Sequence, residues 1–186
     1  TRRKAATTVE RGMKDRLVPL GIPKVRFSIS IEPREFQRDG CDAVAFLFSA
    51  NSSSDMMPIS QVASGGEIAR VMLSLKAMIS NAVKLPTIIF DEIDTGVSGK
   101  IAEKMALIMQ EMAQSERQVI SITHLPQIAA RGTTHYKVYK EETENGTEST
   151  MTRLNDEQRV NEIAQMLSGS DITDAAKHNA KDLLGA

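Results

Sequence analysis

The stretch that most constrains this chain is Thr87-Ile-Ile-Phe-Asp91-Glu92, an apolar run that opens behind Pro86 and closes on two carboxylates. A short run without polar alternation reads as a strand buried on both faces, and such strands belong to parallel sheets covered by helices. The neighbouring segments fit the same plan. Apolar residues at Ile68, Ala69, Val71, Met72, Leu75, Met78, Ile79, Ala82 and Val83 predict a helix over 67–83. Behind the run, 100–112 is helical, 118–123 is a second strand and 127–130 a short helix. That order implies βαβ units with right-handed crossovers, hence an α/β fold with a mostly parallel sheet.

The flanks are different in kind. Ala6, Val9, Met13, Leu17 and Leu20 recur at spacings of three and four, one stripe on a helix of residues 2–18 that Pro19 and Gly21 stop. Ala6, Met13 and Leu20 also keep a seven-residue period, so this helix either lies on its own domain or is the stub of a coiled coil. Alternation at Val25, Phe27, Ile29 and Ile31 predicts a strand, and 43–49 a second, with a loop or hairpin connection over 33–42 and a loop over 51–60. Asn145-Gly146 between two alternating segments, 136–141 and 148–154, predicts an antiparallel hairpin. Helices over 156–167 and 172–184 follow, with Gly169 between them.

Composition narrows the function classes. With 23 Lys+Arg against 24 Asp+Glu among 186 residues, the chain is no wholly basic nucleic-acid binder, although ten basic against five acidic side chains fall in residues 1–40. At 41% hydrophobic and 25% charged it is a folded soluble domain. The longest apolar run, Ala43–Phe48, is six residues, far short of the ~18 a spanning helix needs. Behind the basic start comes Ala-Ala-Thr-Thr-Val-Glu, which is no secretory signal, and the missing initiator Met suggests a fragment. Cys41 stands alone, so no internal disulfide forms, which suits a reducing cytoplasm. Cys41, His135 and His178 show no ligand spacing, and Met72, Met78, Met105, Met109 and Met112 fall on helical stripes as core filler.

Three groups carry chemistry. Ser64-Gly65-Gly66-Glu67 heads the long helix: it can be a capping box, or its bare glycine N–H groups, with the helix dipole behind them, can take a phosphate. Asp91 and Glu92 diverge at the carboxyl edge of the sheet, where α/β proteins bind ligands; they are solvated strand-end acids, or Asp91 holds a hydrated Mg²⁺ while Glu92 orients a water. His124 ends the next strand at the same edge, and is either an ordinary surface imidazole or a group that touches a terminal phosphate or its attacking water.

In combination, Val62-Ala-Ser-Gly-Gly-Glu67, Phe90-Asp-Glu-Ile-Asp-Thr-Gly-Val-Ser-Gly99 and Ser121-Ile-Thr-His-Leu-Pro-Gln127 resemble the signature motif, Walker B strand, D-loop and switch histidine of the ABC-type ATPases, in the branch that includes the SMC-like chromosome proteins. The resemblance covers essentially the whole chain, including Arg159–Leu167 and Asn179–Leu184. It implies a helical stub of coiled coil over 1–20 and, over 21–186, the carboxy-terminal lobe of an ABC-type (RecA-like) ATPase head, a mostly parallel sheet with flanking helices and antiparallel additions. By resemblance, Ser64, Gly65, Gly66 and Glu67 would meet the γ-phosphate of ATP held mainly by the opposite subunit. Asp91 would serve Mg²⁺, Glu92 the hydrolytic water and His124 the γ-phosphate region, while Asp94 in the D-loop would line the dimer interface. The implied activity is ATP-driven repair and recombination of DNA double-strand breaks, in the cytoplasm on the nucleoid, with no membrane.

One departure from the family pattern is decisive. The sequence has no G-x-x-x-x-G-K-[ST] phosphate loop; Gly99-Lys100 is a decoy, because Asp94 stands five before Gly99 and Ile101 follows Lys100. The chain is then half of a split site, inactive alone, and its partners are an amino-terminal head half carrying the phosphate loop, a second head and DNA. Two rivals stay open. A transporter ATPase typically carries Gln at the position of Glu67 and a different D-loop; a nucleotide-gated dimerisation or DNA-docking module would use residues 1–40 as its DNA surface without essential hydrolysis.

Overall fold

A computed structural model describes residues 1–61, 64–83, 85–114, 117–143, 146–169 and 171–185. Val62 and Ala63 of the signature segment and Asn145 of the hairpin signal lie outside them.

Helix α1 (Arg2–Leu17) buries Met13 and Leu17 completely. They join Ile22, Val25, Phe48 and Val71 in one apolar cluster, so the carboxy-terminal turns of the helix lie on their own domain. Each side chain of this size, fully buried, contributes roughly 1.5–3 kcal/mol. Strands β1 (Arg26–Gln37) and β2 (Gly40–Ser49) form an antiparallel hairpin, and β3 (Met57–Pro58) pairs with β2. The hairpin is longer than alternation predicts. Pro33 stays in β1 because that strand is the outer one of its sheet, where a missing N–H costs no ladder bond, and the register shifts only between Pro33 and Gln37. The segment 51–60, expected as loop, holds β3 and the start of a short 3-10 turn (Ile59–Gln61).

The central unit follows the expected order: α2 (Gly65–Ala82), β4 (Thr87–Asp91), α3 (Gly99–Ala113), β5 (Gln118–Ile122) and α4 (Pro126–Ala129). Strands β4 and β5 run parallel from Thr87↔Gln118 to Asp91↔Ile122. Ile88 and Phe90 turn inward onto Leu73, Met105 and Met109, and the Lys76 ammonium sits 5.2 Å from the Phe90 ring centroid. The expectation of burial on both faces is corrected here. Ile89, Ile120 and Ile122 are 54%, 39% and 52% exposed, because no described residue covers the second face. Parallel pairing is confined to these two strands among the described residues, with the antiparallel additions on either side of them in the chain. Of the core methionines, Met105, Met109 and Met112 are buried, whereas Met72 is exposed.

Beyond the central unit, β6 (Tyr136–Thr143) and β7 (Gly146–Arg153) form the expected hairpin. Helices α5 (Asp156–Ser168) and α6 (Asp174–Leu184) close around Ile163, Ala164, Ala176 and Ala180. Among the described residues no helix is long and apolar enough to cross a membrane.

Candidate nucleotide edge

The parallel register brings the predicted residues together. Because Asp91 lies opposite Ile122 and the Glu92 N–H donates to the Ile122 carbonyl at 3.1 Å, the ends of β4 and β5 stop side by side, with Asp91 and Glu92 on one and His124 just past the other. Asp91, Glu92 and His124 are all exposed there. Glu92 has φ +46°, the one non-glycine residue with positive φ among the described residues. A conformation of that kind costs on the order of 1–3 kcal/mol and persists only where neighbours enforce it. Thr95 enforces it here, donating both its N–H (3.3 Å) and its hydroxyl (3.0 Å) to the Glu92 carbonyl.

Gly66 connects the signature helix to this turn. A Cβ built on Gly66 would stand 3.4 Å from the Gly96 carbonyl oxygen and 3.5 Å from that of Thr95, so the start of α2 lies directly against the turn after Glu92. Gly65 is different: a Cβ there meets nothing within 4 Å among the described residues, which give no steric reason for glycine. Ser64 is the N-cap of α2, its hydroxyl accepting from the Glu67 N–H at 3.4 Å, which is half of the capping box read from the sequence.

Asp94, which the resemblance would set along a dimer interface, has a wholly buried side chain. One oxygen, Oδ2, accepts from the Thr123 hydroxyl and lies 3.7 Å from His124 Nδ1; the other, Oδ1, has no hydrogen-bond partner among the described residues. Sequence reading passed over two residues that build this edge, Thr95 and Thr123. The second had a signal: a hydroxyl two residues before a free N–H near a proline makes a local turn, and Thr123 Oγ1 does accept from Leu125 N–H at 3.0 Å.

Asp91, Glu92 and His124 stand open to solvent at this edge. A polar cleft of about 440 Å³ elsewhere, bordered by Thr133, Arg153, Asn155 and Arg159, includes none of the predicted residues. Its neighbour His135 is half-buried, and burial, helped by the Arg159 charge, pushes its pKa below the ordinary value.

Among curated proteins the chain is 36% identical over 188 residues to DNA repair protein RecN of Halalkalibacterium halodurans, a match covering 98% of this chain and 33% of that protein. It is 40% identical over 153 residues to RecN of Bacillus subtilis, covering 82% and 26%, and 38% identical over 167 residues to RecN of Vibrio cholerae, covering 89% and 30%. The chain belongs to the RecN family. It spans about a third of the length of these RecN relatives, matching their carboxy-terminal third. No family model matches the sequence. Among solved structures, the RecN-type chain superposes on an Smc head domain with coiled coil and joint derived from Pyrococcus yayanosii at TM-score 0.67, with 20% identity over 90% of this chain and 30% of that one. A chain solved in work on ATP-driven dimerization of SMC ATPases gives TM-score 0.59 and 18% identity over 90% and 96%. The fold is that of an SMC-type ATPase head.

Proposed function

We propose that this chain is the carboxy-terminal lobe of a RecN-type ATPase head acting in repair of DNA double-strand breaks, and that it supplies one half of a split ATP site. The observation that carries the reading is the convergence at one sheet edge of Asp91, Glu92 and His124, with the Gly65–Gly66 start of α2 set against the same turn. Gly65 and Gly66 present backbone N–H groups at the positive end of an 18-residue helix, and the open space at Gly65 fits close approach by a terminal phosphate of ATP held by a second head. Asp91 and Glu92 are exposed oxygen donors, which fits Mg²⁺, an ion that keeps most of its waters and takes one or two carboxylates. Mg²⁺, when bound, neutralises charge on the β- and γ-phosphates. Glu92 then orients the attacking water, and its enforced backbone fixes where that carboxylate stands. His124 faces the γ-phosphate region from β5.

The open face of β4 and β5 supports the remaining half of the proposal. A two-stranded parallel sheet with three half-exposed isoleucines is an incomplete layer, and an amino-terminal head half carrying the phosphate loop is the partner that would complete it. Residues 1–20 are then the root of a coiled-coil arm, anchored through Met13 and Leu17. DNA and a second head complete the assembly, on the nucleoid.

The test mixes this chain with its separately made amino-terminal half and measures Mg-ATP hydrolysis. Activity in the mixture alone, abolished by Glu92→Gln, is the expected result. A folded mixture that binds ATP yet hydrolyses it equally slowly with Glu or Gln would sink the hydrolytic role and leave a nucleotide-gated dimerisation module.

A further inference from the structure

Asp94 is a wholly buried carboxylate for which the reading above has no direct use. Taking a carboxylate out of water is costly unless hydrogen bonds compensate it, yet only one of its oxygens is bonded among the described residues. The bond it does make is to the hydroxyl that shapes the turn carrying His124. Thr123 Oγ1 donates to Asp94 Oδ2 and accepts from the Leu125 N–H, so the turn over 123–125 is tied to the carboxylate through a single side chain. The same Oδ2 lies 3.7 Å from His124 Nδ1, longer than a hydrogen bond and within ion-pair reach. The His124 side chain is otherwise 65% exposed.

We infer that Asp94 is a positioning residue for His124: the buried carboxylate anchors the 123–125 turn through Thr123 and holds the hydrogen of the neutral imidazole on Nδ1, so that Nε2 is presented outward as the working nitrogen. The physical reason is that a carboxylate accepts and never donates when ionised, so it favours the tautomer with a hydrogen toward it. At 3.7 Å the pull is that of a nearby charge rather than a hydrogen bond, so it weights the tautomer without locking the ring plane. The inference deepens the reading of His124 as a nucleotide-facing group, and its primary measurement needs no nucleotide.

That measurement labels the protein with ¹⁵N-histidine and reads the neutral imidazole tautomer at alkaline pH by two-bond nitrogen–hydrogen correlation, with His124→Gln assigning the signal. The expected result is a predominant Nδ1–H form in the wild type. A wild-type His124 that is predominantly Nε2–H, as in a solvent-exposed imidazole, overturns the inference without any substitution at Asp94. In Asp94→Ala no acceptor stands near Nδ1, so the tautomer should shift toward the Nε2–H form of a solvent-exposed imidazole. An unchanged tautomer in a folded Asp94→Ala protein also overturns it. In the two-half hydrolysis assay, Asp94→Ala should lower kcat by about tenfold with little change in KM for ATP, the pattern of a group acting through another. If the wild-type mixture does not hydrolyse ATP, the functional reading fails while the tautomer result stands by itself.

Discussion

Helices α2 and α5 begin in nearly the same sequence grammar and end up in opposite conditions. At α5, the Asn155 side chain accepts from the Gln158 N–H at 2.8 Å and the Gln158 side chain accepts from the Asn155 N–H at 2.9 Å, a reciprocal cap that uses up the donors it faces. At α2, Ser64 accepts one long bond of 3.4 Å and the bond back from Glu67 is not made. Two glycines follow, one against the Thr95–Gly96 turn and one against nothing. The difference teaches that a helix start can be sealed by its own side chains or left to be sealed by something else, and that a serine followed three residues later by glutamate does not say which. Local rules describe α5 completely and α2 by half.

Substitutions on the two helices and beside them can break or sharpen that contrast. The largest effect belongs to the edge that α2 touches: Glu92→Gln should cut steady-state hydrolysis by the reassembled head by about 10²–10⁴-fold, the usual range for removing a group that handles a proton in the transition state, while ATP binding by filter assay is kept. Next comes Gly65→Ala. Its methyl group meets no described residue within 4 Å beyond its neighbours along the helix, so thermal unfolding should show unchanged or slightly higher stability, by about 0.5 kcal/mol, whereas nucleotide-dependent head association, measured by analytical ultracentrifugation, should weaken roughly tenfold as one charge-assisted backbone contact is lost. Equal association in Gly65→Ala would mean that α2 is as self-contained as α5. On the other side of the comparison, Asn155→Ala should destabilise the chain by about 1 kcal/mol in urea titrations and leave hydrolysis alone. The smallest effect concerns His135 beside α5. Its folded pKa lies below the ordinary value near 6.5, so on acidification the unfolded chain takes up the proton first and stability falls as pH drops from there; His135→Gln should flatten that limb of the stability curve.

Much of the fold was legible because its signals are local. The 3.6-residue stripes gave α2, α3 and α5 within a few residues, and the apolar runs gave β4 and β5 with their order. What the residues could not express is the environment on the far side. Ile89 stands in a run that reads as buried on both faces and is half exposed, since no described residue covers that face. Pro33 reads as a break because proline donates no hydrogen bond, and only the sheet order shows that none is required of it there. At the candidate site, Asp91, Glu92 and His124 were legible as strand ends. The inward turn of Asp94 was not, because whether a loop carboxylate faces solvent depends on Thr123, a residue 29 positions away.

The uncovered face of β4 and β5 can also be read as a matter of timing. If the strands that cover it come from a segment on the far side of a long arm, bringing the two together is a loop-closure problem, and loop-closure entropy grows only logarithmically. A tenfold longer loop costs about 2 kcal/mol more, which one additional buried isoleucine or phenylalanine largely offsets. The rate behaves differently, since contacts distant in sequence form slowly. Ile89, Ile120 and Ile122 would therefore spend the interval between synthesis and docking in contact with water. During that interval β4 and β5 would be strand edges open to any other unfolded chain, and the length of such a connection would set how long it lasts.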